Sequence, residues 1–297
     1  MTWTNIKDGE KGGNLARVIN GALLTTGGGA VGGGSGADSI FVMNELASFG
    51  ITPDTQSRII VQGGDVSLTT TLTRSIWGNG LTANQPVLIA STALEVVSAS
   101  TDDDVAGIGA QKLYVEGVSG TGTFQSGTFD MDGTTPVPIG LWLEVNIAEV
   151  TQVGSSGANA GAITIRTVSG STAQAVIPAA LRGNLNQIRY RVASGRIAFV
   201  RSILFGSMGT GPDTAALPGA NMIMNVDRVN SGVSPGPGVL LATQPFRATA
   251  YRGAPTPMPF DYGFPLFAGN VIRPQAANGT ANTVEFTCIM TLEEFIL

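Results

Sequence analysis

The chain has 297 residues, a formal net charge of −5, no histidine, only 12% charged residues and 41 glycines. Its acidic balance lacks the clustered Lys and Arg that phosphate contacts need, so no nucleic-acid partner is expected. The absence of histidine removes most Ser-His, Cys-His and His-based zinc chemistry; a two-carboxylate glycosidase would need acids that this sequence does not single out, and no enzyme, cofactor or metal is expected.

No apolar run is long enough to cross a bilayer, and no membrane contact is expected. A surface left to Ser, Thr, Asn, Gly and apolar side chains suits burial against neighbouring subunits.

In chain order, residues 1–65 read as an arm. Over Asn14–Leu24 the spacing of Leu15, Val18, Ile19 and Ala22 predicts a short helix with Asn14 as its cap. Gly27–Gly36 has almost nothing to bury and reads as a connector. Ser39–Phe49 resumes an apolar pattern, helix or strand, that includes Phe41 and Phe49. These apolar residues sit badly in a solvated tail, so Leu15, Val18, Ile19, Phe41 and Phe49 are candidate docking residues.

From Val66 onward the signals are of strands. Leu68–Thr73 alternates, Pro86–Ala90 is a short apolar run, and Leu94–Val97 follows. Asp102-Asp103-Asp104 reads as a turn with solvated carboxylates. Calcium is the alternative, but it needs a downstream acid, and none precedes Glu116. Thr123–Met131 and Val137–Ile147 are expected to pair across Asp132-Gly133, with Ile139, Leu141, Leu143, Val145 and Ile147 on one buried face. The small residues Gly154–Gly161 make the next reversal.

Ile188, Tyr190 and Val192 alternate with Arg189 and Arg191. Arg196–Phe205 is expected to pair back across Ser194-Gly195 as a hairpin with one basic face. Gly206–Gly211 matches a nucleotide fingerprint only in its glycines and reads as a loop. Met222–Val229, Val239–Ala242 and Phe246–Tyr251 are further strands.

Pro255–Pro265 holds four prolines, which predicts an irregular loop and excludes a central strand. Its aromatics Phe260, Tyr262 and Phe264 are candidate interface anchors, with a carbohydrate platform as the alternative. Val284, Phe286, Cys288, Met290 and Leu292 share one face, which makes Cys288 a small core residue.

The expected fold is mainly β: antiparallel β-sandwich or jelly-roll-like modules with an extended or partly helical N-terminal arm. The division is arm 1–65, module 66–180 and second module 181–297.

Three runs within this pattern carry a likeness: Asp103-x-x-x-Gly107-x-Gly109-Ala110, Asp132-Gly-Thr-Thr-Pro-Val137, and Gly154-Ser-Ser-Gly-Ala-Asn159-x-Gly161-x-Ile163-Thr-Ile165. With Arg191–Val200 and the close Phe264–Leu297, they resemble a module of tailed-bacteriophage structural proteins, notably capsid decoration (cement) and head-fibre proteins, over residues 90–297. The resemblance implies a non-enzymatic virion protein that stabilises the phage head as a homo-oligomer, a trimer, against the major capsid protein or other virion proteins. A tail, neck or fibre component that binds a receptor or glycan is the alternative.

Overall fold

The computed structural model describes residues 4–7, 15–19, 22–26, 51, 55–68, 73–76, 88–180, 185, 187–209, 220–229, 240–250, 256–278 and 284–297. It divides the chain into two compact units, residues 1–55 with Leu297, and residues 56–296. Among the described residues there is no helix.

In the first unit, β1 (Thr4–Lys7), β2 (Leu15–Ile19) and β3 (Ala22–Thr26) form an antiparallel sheet in the order β1-β2-β3. The helix expected over Asn14–Leu24 is therefore a hairpin. Val18 and Ile19 are β-branched and favour strand. The pairing Ile19↔Ala22 leaves only Asn20 and Gly21 between the strands, the dipeptide most favoured in two-residue hairpins. The connector Gly27–Gly36 and the segment Ser39–Phe49 lie outside the described residues.

The second unit holds the remaining strands. They are β4 (Ser57–Leu68), β5 (Thr73–Ser75), β6 (Thr92–Ser98), β7 (Ala110–Ser119), β8 (Phe124–Asp130), β9 (Val137–Val153), β10 (Ile163–Thr167), β11 (Ala173–Ile177) and β12 (Tyr190–Arg191). Then follow β13 (Arg196–Gly209), β14 (Ala220–Val229), β15 (Leu240–Ala250), β16 (Thr256–Leu266), β17 (Val271–Ala277) and β18 (Val284–Ile296).

Three sheets result. One has six strands in the order β11-β10-β6-β9-β7-β8, one has four in the order β16-β13-β18-β4, and one has β12-β17-β14-β15 with β5 beside β17. All the strand pairs within them are antiparallel. β4 and β5 precede the six-stranded sheet in sequence yet pair with β18 and β17 near the C-terminus.

Two apolar cores fill the unit. Leu94, Val96, Leu113, Val115, Trp142, Ile163, Ile165 and Ile177 build one inside the six-stranded sheet. Ile60, Val66, Tyr190, Ile203, Phe205, Ile272, Phe286, Cys288, Met290 and Leu292 build the other between strands of the remaining sheets. β18 shows why: Val284, Phe286, Cys288, Met290 and Leu292 are all buried at every second position, as its pattern predicts. Ile147 of β9 packs against this second core while its neighbours Val145 and Ala148 lie in the first. The long strand β9 thus borders both.

Five further expectations are corrected. β8 and β9 do not pair with each other, because β7 lies between them and bonds to both. The single buried face of Ile139–Ile147 breaks at Gly140, whose φ of 99° suits glycine alone and accompanies a register shift beside β6, so Leu141 turns outward and Trp142 inward.

The basic hairpin does not form: β12 pairs with β17, whereas β13 pairs with β16 and β18, so Arg191 and Arg196 belong to different sheets. Pro255–Pro265 is not an irregular loop but mostly strand β16, and Gly206–Gly209 continues β13. β16 sits at the edge of its sheet, where proline withdraws a donor that has no ladder to serve.

Candidate functional site

The aspartate run is an internal knot. Asp103 is fully buried, and its carboxylate accepts from the backbone N–H of Ala110 at 2.6 Å, Ala160 at 2.8 Å and Gly161 at 2.8 Å, and from the Ser98 hydroxyl. The Gly133 N–H donates to the Asp103 carbonyl at 2.7 Å, and the Gly109 N–H to that of Asp102 at 2.8 Å.

One side chain therefore ties the 98–110 loop to the 154–161 reversal, while its backbone holds the Asp132-Gly133 turn. Space dictates the glycines around it: a Cβ at Gly109 would lie 2.2 Å from Asp103 Oδ1. The expected solvated turn is corrected at its middle residue, since only Asp102 and Asp104 reach solvent. Both oxygens of Asp103 are engaged by protein donors.

A second cluster joins the six-stranded sheet to the strands around the other core. Arg58 on β4 donates to Glu116 of β7 through Nη1 at 2.8 Å and to Glu294 of β18 through Nε at 2.8 Å, and its Nη2 lies 2.6 Å from Glu116 Oε1 as an ion-pair contact. Glu294 also accepts from the Tyr190 hydroxyl and the Arg196 guanidinium, and Glu116 from the Tyr114 hydroxyl at 2.9 Å. Arg196 lies over the Phe124 ring at 3.7 Å, with Arg58 5.2 Å from the same ring. Burial, and then Glu294, pushes the Tyr190 phenol well above its ordinary range.

A third group seals β9 to the segment around β12. Arg189 and Glu144, both buried, form an ion pair at 2.8 Å from Nε, and burial pulls the guanidinium below its ordinary value against the raising effect of Glu144. At the Asn146 bulge of β9, the side chain donates to the Arg191 carbonyl and accepts from the Arg191 N–H, each at 2.9 Å. Gln62 donates to the carbonyls of Asn146 at 2.6 Å and Arg189 at 3.0 Å.

The surface is different in character. Val168 just past β10, Ala93 of β6 and Leu141 of β9 follow one another, linked by the Val168 N–H to the Ala93 carbonyl and by the Ala93↔Leu141 pairing. All three are exposed, Val168 at 50% and Leu141 at 55%, and Ile89 just before β6 is exposed as well. On β4, Ile59 is 62% and Val61 59% exposed, beside the partly exposed Ile289 of β18. These side chains form apolar rows exposed to solvent.

Of the candidate interaction residues, Leu15, Val18 and Ile19 fall on β2, and Phe260, Tyr262 and Phe264 on the edge strand β16. Phe41 and Phe49 lie outside the described residues. The exposed rows were missed because Leu141 was expected on the inward face of its strand and Ile59 fell within the expected arm of residues 1–65. The bulge at Gly140 is the signal that could have turned Leu141 outward.

No family model matches the chain, and no curated protein matches it at a significant level. Among solved structures, it is similar to that of the infectious bursal disease virus Gt strain, at 10% identity and a TM-score of 0.23, covering 82% of this chain and 72% of that one. It is similar also to the VP2 subviral particle of the same virus, at 11% identity and a TM-score of 0.25, covering 81% and 72%. Scores of this size set no residue of this chain equivalent to one of theirs.

Proposed function

We propose that this chain is a non-enzymatic structural protein of a virion, a capsid decoration or cement protein that acts through subunit contacts. The observation that carries the reading is where its polar chemistry lies. Among the described residues, each buried carboxylate accepts from a protein donor: Glu95 from Arg166, Asp103 from three backbone amides and Ser98, Glu116 and Glu294 from Arg58, and Glu144 from Arg189. General acid–base chemistry needs a carboxylate within reach of a substrate. A structural protein needs rigid strands and apolar contact area, which the rows at Val168–Leu141 and Ile59–Val61 supply.

The resemblance of residues 90–297 to tailed-phage decoration and head-fibre proteins supports a role on the particle. In this reading the chain works as a homo-oligomer. The arm, with Leu15, Val18, Ile19, Phe41 and Phe49, anchors it to the major capsid protein or to a neighbouring subunit. A fibre component that binds a glycan through Phe260, Tyr262 and Phe264 is the competing reading, and a glycan array separates the two.

Co-sedimentation with particles lacking the chain is the test. Full-length protein is expected to pellet with them, and deletion of residues 1–36 to weaken binding at least tenfold. Failure of the full-length chain to pellet overturns the proposal, and unchanged affinity of the truncated chain removes the arm as anchor.

A further inference from the structure

The two edges of the four-stranded sheet are built differently. Strand β16 carries Pro257 and Pro259 two residues apart, opposite Leu204 and Ser202 of β13. Residues two apart in a strand direct their N–H positions to the same edge, so these prolines strip donors from one side, a standard guard against a further strand. The other edge is β4. Its segment Ile59-Ile-Val-Gln-Gly-Gly64 holds no proline and no charge, and among the described residues only β18 pairs with it. Uncharged and without proline, it is the kind of edge that recruits a strand.

The side chains point to which strand. Outward from β4 stand Ile59 at 62% and Val61 at 59% exposure, and then Gly63, where an added Cβ would meet only the Cys288 carbonyl oxygen at 3.9 Å. If a second β4 lies antiparallel with the two Val61 residues opposed, Ile59 of each copy falls opposite Gly63 of the other. It then fills the space over the glycine, beside the exposed Ile289 that pairs with Gly63. Ser57 falls opposite Asp65, so no like charges face each other.

Pairing of β4 with β16 of another copy would run on as a filament, and the prolines disfavour it. Pairing of β4 with β4 closes after two.

We infer that two copies of this chain join through β4 about a two-fold axis at Val61, making one continuous eight-stranded sheet from the two four-stranded ones. The inference stands on the edge geometry and does not rest on the virion reading. It assigns a two-fold contact where the family resemblance implies a trimer.

The full-length chain is examined by sedimentation equilibrium at micromolar concentration beside Val61→Lys, a change at a solvent-exposed side chain. The expected result is a species of twice the chain mass, with dissociation of the variant raised at least tenfold.

Register is read by cysteine cross-linking. Opposed Cα atoms in an antiparallel pair lie about 4.5–5.5 Å apart, inside the range a disulfide spans. V61C should therefore give a disulfide-linked dimer on a non-reducing gel. S67C should not, because its two copies would sit about 40 Å apart at roughly 3.4 Å per residue. A wild-type monomer at all concentrations, an oligomer that Val61→Lys leaves intact, or equal cross-linking by S67C overturns the inference.

Discussion

Arg58 is the residue on which the joint between the two cores turns, and its removal gives a measurable consequence. Arg58→Met deletes the donors that reach Glu116 and Glu294 while keeping most of the aliphatic stem. Glu294 retains Tyr190 and Arg196, whereas Glu116 retains only the Tyr114 hydroxyl, so the loss falls mainly on Glu116, whose side chain is 5% exposed.

Breaking a buried ion pair from one side costs about 3–5 kcal/mol. The Arg58 side chain is 32% exposed, and water entering its place reduces this to roughly 2–4 kcal/mol. Much of the cost is the stranded carboxylate, so Arg58→Met/Glu116→Gln should recover about 1–2 kcal/mol relative to Arg58→Met alone. Urea unfolding followed by far-UV circular dichroism measures each corner of the cycle. If Arg58→Met stays within about 0.5 kcal/mol of wild type, as an ordinary surface change would, or if Glu116→Gln adds its own loss on top, the clasp is not a structural joint.

Asp103→Asn should destabilise by about 3–5 kcal/mol, because an amide replaces an acceptor facing backbone donors and at least two charge-assisted bonds are lost; Gly109→Ala, which drives a methyl onto Oδ1, should destabilise in the same direction, both read by thermal unfolding. The Tyr190 phenol is raised in the fold above its unfolded value near 10, so the stability it contributes is complete below about pH 10 and is lost as pH rises toward the folded pKa. Urea midpoints measured upward from pH 10 should therefore fall more steeply for wild type than for Tyr190→Phe. Burial pushes the Cys288 thiol up to about 12, so a thiol reagent at pH 8 should leave the native chain unmodified and react once it is unfolded.

The all-β class was legible because period-two runs such as Val284–Leu292 name their buried face directly. Cys288 follows from the same run. Strand partners were less legible: β4 and β18 lie at opposite ends of the second unit, and no turn residue announces a pairing across that distance. The proline run misled because four prolines exclude a central strand but not an edge strand.

Asp103 was read as a surface turn since a carboxylate's default is solvent. Its four donors come from residues 98, 110, 160 and 161, which only the fold brings together. The spacing Asp103-x-x-x-Gly107-x-Gly109 held the clue, because glycines crowding an aspartate mark a backbone drawn close around it. Arg189 and Arg191 were placed on an open face for a similar reason. Glu144, which pairs with Arg189, and Leu143, whose carbonyl accepts from Arg191, sit on a bulged strand whose inward positions do not follow strict alternation.

The central claim is that the chain does its work as a fixed part of a particle. Electron cryo-microscopy of virions purified from the culture that encodes it tests this most directly. The account predicts density for the β strands of residues 56–296 on the particle, at a constant number of copies per capsid unit. Purified virions that contain none of the chain would contradict it.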